Sequence, residues 1–310
     1  MLLAFADVLV RGAVGLARLV GLSPLIIGLT VVAFGTSAPE FVTSLAAVRN
    51  GAPAMAAGNV IGSNIANILL VLGVAATMHP IRCTRQIIGR DGMAVLIASV
   101  IFTVVAVAAE FSRLTGSMLV LCLFVYIAIT YRHERQARAS ASLHTLEAEE
   151  ISGTPQRGWV ALAMLASGIA GIAIGAELLI GGAVEIAQAF GVSDALIGLT
   201  VLAIGTSLPE LATVIMASWR NHGDVALGNV LGSNIFNLLA IGGGVSVISP
   251  IAVTPEIMHF DIWVMLGTSL MLLPMMMSDH QITRREGGFL VSLYAVYLGI
   301  QIVSAGGGSA

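Results

Sequence analysis

Residues 26–40 read IIGLTVVAFGTSAPE, and residues 196–210 read LIGLTVLAIGTSLPE. A second pair of blocks, GNVIGSNIANILL at 58–70 and GNVLGSNIFNLLA at 228–240, sits at the same offset of 170 residues with no gap between the blocks. From Ala6 to Gly73 roughly half the positions are identical to their partners, more than shared apolar composition produces, so one unit occurs twice. Both blocks of each copy lie inside long apolar runs. Of the 310 residues 57% are apolar and 10% charged, where a soluble domain carries about 25% charged residues. The runs recur from end to end at about 17 to 25 residues, enough to cross a hydrocarbon core of about 30 Å. They lack the two-residue alternation of a barrel strand, and 35 Gly among aliphatic neighbours fit closely packed helices. The fold class read here is an all-α polytopic membrane protein.

Hydropathy places ten spans, at 1–19, 24–49, 54–78, 92–109, 115–131, 159–190, 194–218, 224–248, 259–277 and 287–304. One long polar stretch, Arg132 to Gly158, divides them. The expected organisation is a first five-helix repeat at 1–131 with motifs at 28–40 and 58–67, and an exposed, flexible linker at 132–158. A second repeat follows at 159–310, with motifs at 198–210 and 228–237. Equivalent residues are five spans apart, so the copies cross the membrane in opposite senses. Such inverted repeats are common in secondary transporters, with substrate bound between them near the midplane. By the same offset Trp159 maps before Met1, so the first span is expected to be shorter than the sixth.

All fourteen basic residues are Arg. With the N-terminus outside, the cytoplasmic connections take Arg18, Arg82, Arg85, Arg90, Arg132, Arg135, Arg138, Arg157, Arg220, Arg284 and Arg285 and the outer ones only Arg49 and Arg113, with Arg11 inside span 1 uncounted. Both termini are therefore expected outside and the linker in the cytoplasm. The start of the chain lacks a basic region before its apolar stretch, so no cleaved signal peptide is expected. Cys83 and Cys122 suit neither a disulfide framework nor a metal motif. A net charge of −3 confined to connections gives no reason to expect nucleic acid.

Glu40 and Glu210 fall in the middle of apolar spans, where even the lowest estimates put an ionised acid at about 2.5 to 3.5 kcal/mol. That cost at two symmetric positions points to a cation. Pro39 and Pro209 each remove a helical donor, and Gly35 and Gly205 loosen the same turn, so spans 2 and 7 are expected to break there and expose carbonyls. Thr36 and Ser37 lie one turn before Glu40, and Thr206 and Ser207 one turn before Glu210. In spans 3 and 8, Ser63 with Asn67 and Ser233 with Asn237 are one turn apart. This inventory is all oxygen, the shell of a hard cation such as Ca²⁺, which takes about six to eight oxygens. Two carboxylates balance one Ca²⁺ or two Na⁺, and no GxxxxGK[ST] motif for ATP occurs. Neither an enzyme nor a bound cofactor is expected; the ions are transported substrates.

With these paired GTSxPE and GNVxGSNIxN motifs the chain resembles the Ca²⁺/cation antiporter superfamily, specifically the prokaryotic sodium/calcium exchangers, over everything but the linker. The resemblance implies a core of spans 2, 3, 7 and 8, across which the tilted spans 1 and 6 slide for alternating access. It implies Glu40 and Glu210 as carboxylates shared by Ca²⁺ and Na⁺, with Thr36, Ser37, Ser63, Asn67, Thr206, Ser207, Ser233 and Asn237 joining them. It also implies that the backbone carbonyls of Ala33 and Ala203 bind Na⁺. The implied activity is Ca²⁺/Na⁺ antiport in a prokaryotic inner membrane with a monomer as functional unit. Some members have Asp where Asn237 stands, so potassium dependence is not expected. Ca²⁺/H⁺ exchange, with the same carboxylates taking protons, and exchange of another divalent ion for H⁺ are the alternatives. The structural readings set beside these are that Asn64 and Asn234 knit the helices, Asp7 pairs with Arg11, and Gly171 with Gly175 marks helix packing.

Overall fold

The computed structural model describes residues 1–51, 53–108, 111–141, 157–190, 203–251, 253 and 257–307. Helix α1 is Leu2–Val20, α2 Pro24–Arg49, α3 Pro53–Met78 and α4 Arg85–Val107. Helix α5 is Arg113–Ala141 and α6 Gly158–Ala189. Helix α7 comprises Ala203–Thr206 and Leu208–Trp219. Helices α8 (Gly223–Ile248) and α9 (Ile257–Met277) follow, then α10 (Arg284–Gly307). Among the described residues eight stretches, in α2 to α6 and α8 to α10, are long and apolar enough to cross a membrane.

Helix ends follow local chemistry. Helix α1 closes at Gly21, whose φ of 65° lets the Leu22 N–H return to the Ala17 carbonyl at 2.9 Å. The repeat mates Gly51 and Asn221 both adopt positive φ, 77° and 59°, after α2 and α7. Helix α4 starts at Arg85 rather than near 92, because the Thr84 hydroxyl caps it by accepting from the Ile87 N–H at 3.3 Å. Helix α5 runs past the expected boundary at 131 to Ala141, since Arg, Glu, Gln and Ala continue a helix where hydropathy stops. Residues 142–156 of the expected linker lie outside the described residues. Helix α1 has 19 residues and α6 has 32, the expected inequality.

The fold is mostly helical, with one departure from an all-helical expectation. Ile81 and Arg82 (β1) pair antiparallel with Ile282 and Gln281 of β2, tying the α3–α4 connection to the α9–α10 connection. Most buried apolar side chains form one cluster that includes Ile65, Leu72, Phe102, Leu231 and Met265. Helices α1 and α6 lie against each other and carry a second cluster around Ala6, Leu9, Ala13, Leu165 and Ile172. A Cβ at Gly168 would stand 2.8 Å from Leu9 Cα, and one at Gly171 would enter the Phe5 ring, so the Gly171 and Gly175 stripe does mark packing. Asp7 pairs with Arg11 as expected, and also with Arg220 at the end of α7, which links α1 to the main bundle. Where α4 and α9 cross, the hydroxyls of Ser99 and Ser269, 170 residues apart, meet at 2.9 Å.

Candidate cation site

The site is organised by two helix breaks. Helix α2 stops at Ser37 (φ −87°, ψ 2°) and α7 at Ser207 (φ −88°, ψ 2°), the same conformation at repeat-related positions. Each helix restarts with Pro in its first turn, where a missing N–H does no harm. The same prolines deny the carbonyls of Gly35 and Gly205 their i+4 donors. Glu40 and Glu210 sit in the first turns of the restarted segments, at the positive ends of their dipoles. Glu40 is 1% exposed and Glu210 is 0% exposed, and the two lie near enough for their charges to repel.

Hydroxyls from both halves reach Glu210. Ser37 donates to Glu210 Oε1 at 2.9 Å, a bond from α2 to α7 across 173 residues of chain. The Ser233 hydroxyl stands 3.5 Å from the same oxygen. Thr36 donates to Asn229 Oδ1 at 3.1 Å, with the Ala33 carbonyl at 3.4 Å. Ser63, Asn67 and Asn237 are buried on α3 and α8, and Ser207 is buried at the second break. Thr206 is half-buried beside it, and Ala203 opens the short helix before it. Asn67 and Asn237 each fall within a π-helical turn, Asn67–Leu72 and Phe236–Gly242, a widening that often marks functional positions.

Several polar atoms here are buried without a hydrogen-bond partner among the described residues. They are Glu40 Oε2, Glu210 Oε2, Ser207 Oγ and both amide atoms of Asn67 and of Asn237. Such atoms are uncommon in folded proteins. Among the described residues no three His, Cys, Asp or Glu side chains group as metal ligands.

Asn64 and Asn234 donate to the carbonyls of Val60 and Val230 at 2.7 and 2.8 Å, one turn back on their own helices rather than across to another, and their Oδ1 atoms are buried without a partner among the described residues. Sequence reasoning passed over Asn59 and Asn229. Asn59 donates to the Glu40 carbonyl at 3.2 Å and to the Ser44 hydroxyl at 2.9 Å, while Asn229 receives Thr36. Both stand in the matched GNV blocks, where their symmetry was the available signal. The close approach of α8 to α2 depends on glycine: a Cβ at Gly228 would lie 2.6 Å from the Leu25 carbonyl oxygen, and one at Gly232 would lie 2.4 Å from that of Leu29.

The sodium/calcium exchanger protein family matches this chain over residues 1–132 and 160–303, both halves of the fold. The chain belongs to this family. As a family member it is an integral multi-pass membrane protein of an exchanger class rather than an enzyme class. It is 37% identical to the inner membrane protein YrbG of Escherichia coli, over 86% of this chain and 82% of that one. It is 33% identical to the sodium/calcium exchanger MaX1 of Methanosarcina acetivorans, over 94% of this chain and 93% of that one. Among solved structures, the sodium-calcium exchanger NCX_Mj soaked with 100 mM Na⁺ and 10 mM Sr²⁺ is similar at a TM-score of 0.82 and 32% identity, covering 96% of this chain and 94% of that one.

Proposed function

We propose that this exchanger family member is a secondary active antiporter that moves Ca²⁺ against Na⁺ by alternating exposure of one oxygen-lined site. The observation that carries the reading is the buried pair Glu40 and Glu210, with Ser37 of the first half donating to Glu210 of the second. Two buried carboxylates need positive charge beside them, and hard oxygen donors without partners suit Ca²⁺ or Na⁺. Glu40 and Glu210 would serve both ions, with Thr36, Ser37, Ser63, Asn67, Thr206, Ser207, Ser233 and Asn237 completing the shell. The carbonyls of Ala33 and Ala203 would hold Na⁺. Ions that compete for the same oxygens exchange one for the other, so the Na⁺ gradient drives Ca²⁺ movement without ATP.

In this reading ten helices form two inverted five-helix repeats, 1–131 and 159–310, joined by a cytoplasmic linker at 132–158, with both termini outside and the monomer as functional unit. The membrane is the prokaryotic inner membrane. Helices α1 and α6 slide together, a role supported by their packing along each other. In each cycle, moving one net charge would contribute about 2.3 kcal/mol per 100 mV of membrane potential.

The test is Ca²⁺ uptake into liposomes carrying the purified protein, loaded with Na⁺ and diluted into Na⁺-free buffer. Uptake that requires the Na⁺ gradient and vanishes in Glu40→Gln and in Glu210→Gln is expected. Uptake driven by an H⁺ gradient with no Na⁺ present would replace this reading with Ca²⁺/H⁺ exchange. Normal uptake in both variants would overturn the site.

A further inference from the structure

Helices α4 and α5 both pack on the π-helical turn of α8 but scarcely touch each other, which leaves a groove of about 730 Å³ between them, open to the surrounding membrane. Its floor includes Ala98 and Leu239, both buried, and its walls include Ile97, Leu121, Val125 and Ile129, all exposed. One end carries the Arg85 cation, exposed, together with the exposed His133 and the half-buried Arg90. Arg90 binds Asp91 through Nε and Nη2 at 2.8 and 2.9 Å, and its Nη1 has no partner among the described residues. The Arg90 charge is thus matched by Asp91, and the exposed Arg85 remains to attract an anion, with the His133 imidazole able to donate a hydrogen bond to it.

From this charge and shape we infer that the groove binds one anionic phospholipid of the cytoplasmic leaflet. The phosphate rests against Arg85 and His133 and an acyl chain lies between α4 and α5. On the orientation proposed above, the cationic end faces the cytoplasm, where basic pockets between membrane helices take anionic headgroups. From Met93 to Ile101 the apolar wall of α4 rises about 12 Å, close to half of a hydrocarbon core of about 30 Å. A chain of one leaflet therefore fits the groove along its length. A soluble anion would use only the mouth and leave the apolar walls unused.

The experiment is native mass spectrometry of the full chain in detergent, offered dioleoylphosphatidylglycerol or dioleoylphosphatidylcholine at equal concentration. Retention of one phosphatidylglycerol at least fivefold above phosphatidylcholine is expected. The double variant Arg85→Gln with His133→Gln loses that preference, whereas Arg113→Gln at the other end of α5 keeps it. Gly89→Leu lowers retention of both lipids, because Gly89 lines the groove and a Cβ there meets no atom within 4 Å. Melting curves of each variant confirm that it is folded. Equal retention of the two lipids by the native chain, or a preference unchanged in the double variant, overturns the inference. So does capture of inorganic phosphate in place of lipid. The readout is bound mass rather than flux, so its failure and that of the exchange reading are separable.

Discussion

Gly232 in α8 is the position near the proposed site where neighbouring backbone leaves least room. A Cβ there would stand 2.4 Å from the Leu29 carbonyl oxygen and 2.8 Å from the Ala33 Cβ, contacts that real Cβ atoms essentially never show. Neither neighbour is the free end of a long side chain, so Gly232→Ala must push α8 and α2 apart by more than half an ångström. Overpacking of this kind costs about 1 to 3 kcal/mol. Against it stands a gain of about 1 kcal/mol from replacing glycine in a helix. The net loss is up to about 2 kcal/mol, a fall in melting temperature of up to roughly 8 °C on the scale of larger domains. The displacement also reaches the site, because Leu29 leads through Ala33 to Ser37, and Ser233 follows Gly232. The Ser37 to Glu210 bond of 2.9 Å should lengthen and Ca²⁺ flux fall with stability. Gly267→Ala is the control, since Gly267 is exposed on α9 and its added Cβ meets nothing within 4 Å. Melting curves in detergent and flux in liposomes read both effects. If Gly232→Ala melted and transported like the native chain while Gly267→Ala did the same, the close α2–α8 packing deduced here would be wrong.

Ser37→Ala removes a hydrogen bond to a buried carboxylate, worth about 1.5 to 3 kcal/mol, so Ca²⁺ binding should weaken roughly ten- to hundredfold; titration of purified protein checks this, and unchanged affinity would remove Ser37 from the site. Cys83 lies beside Arg82 and Arg85 in sequence, yet burial pushes its thiol up to about 12. In a Cys122→Ser background it should resist maleimide at neutral pH until the protein is denatured, and rapid labelling of the folded chain would contradict that environment. Burial, reinforced by Arg18 and Arg220 and opposed by Asp224, holds the His222 imidazole below its usual 6.5. The unfolded chain then takes up the proton first, so this contribution to stability is present above pH 6.5 and is lost as pH falls below it. Melting temperatures recorded down to about pH 5 should fall less steeply in His222→Gln; parallel curves would exclude the effect.

How much of this could be read in advance differs from feature to feature. The GTSxPE blocks announce the breaks because proline removes a donor at a known place, and the chain leaves helix two residues before each one. Three features were hidden for distinct causes. The π-helical turns at Asn67 and Asn237 keep apolar residues on helical faces, so no periodicity reveals the inserted residue. Helix α5 outlasts its apolar run, because hydropathy reports lipid contact while helix propensity continues into RHERQARASA. The pairing of Asp7 with Arg220 spans 213 residues, and only the folded chain brings the two together. Asn59 and Asn229 were visible as symmetric polar residues, but spacing alone does not tell an amide that holds a broken helix from one that faces an ion.

The account rests on one pair of acids serving two ions in turn. Equilibrium binding of radioactive Ca²⁺ to the purified protein, titrated with Na⁺ at constant ionic strength, tests that most directly. The account predicts that Na⁺ displaces all bound Ca²⁺ competitively, and that Glu40→Gln and Glu210→Gln each abolish Ca²⁺ binding while the protein remains folded. Ca²⁺ that stays bound at saturating Na⁺, or binding retained in both variants, would contradict a shared site at Glu40 and Glu210.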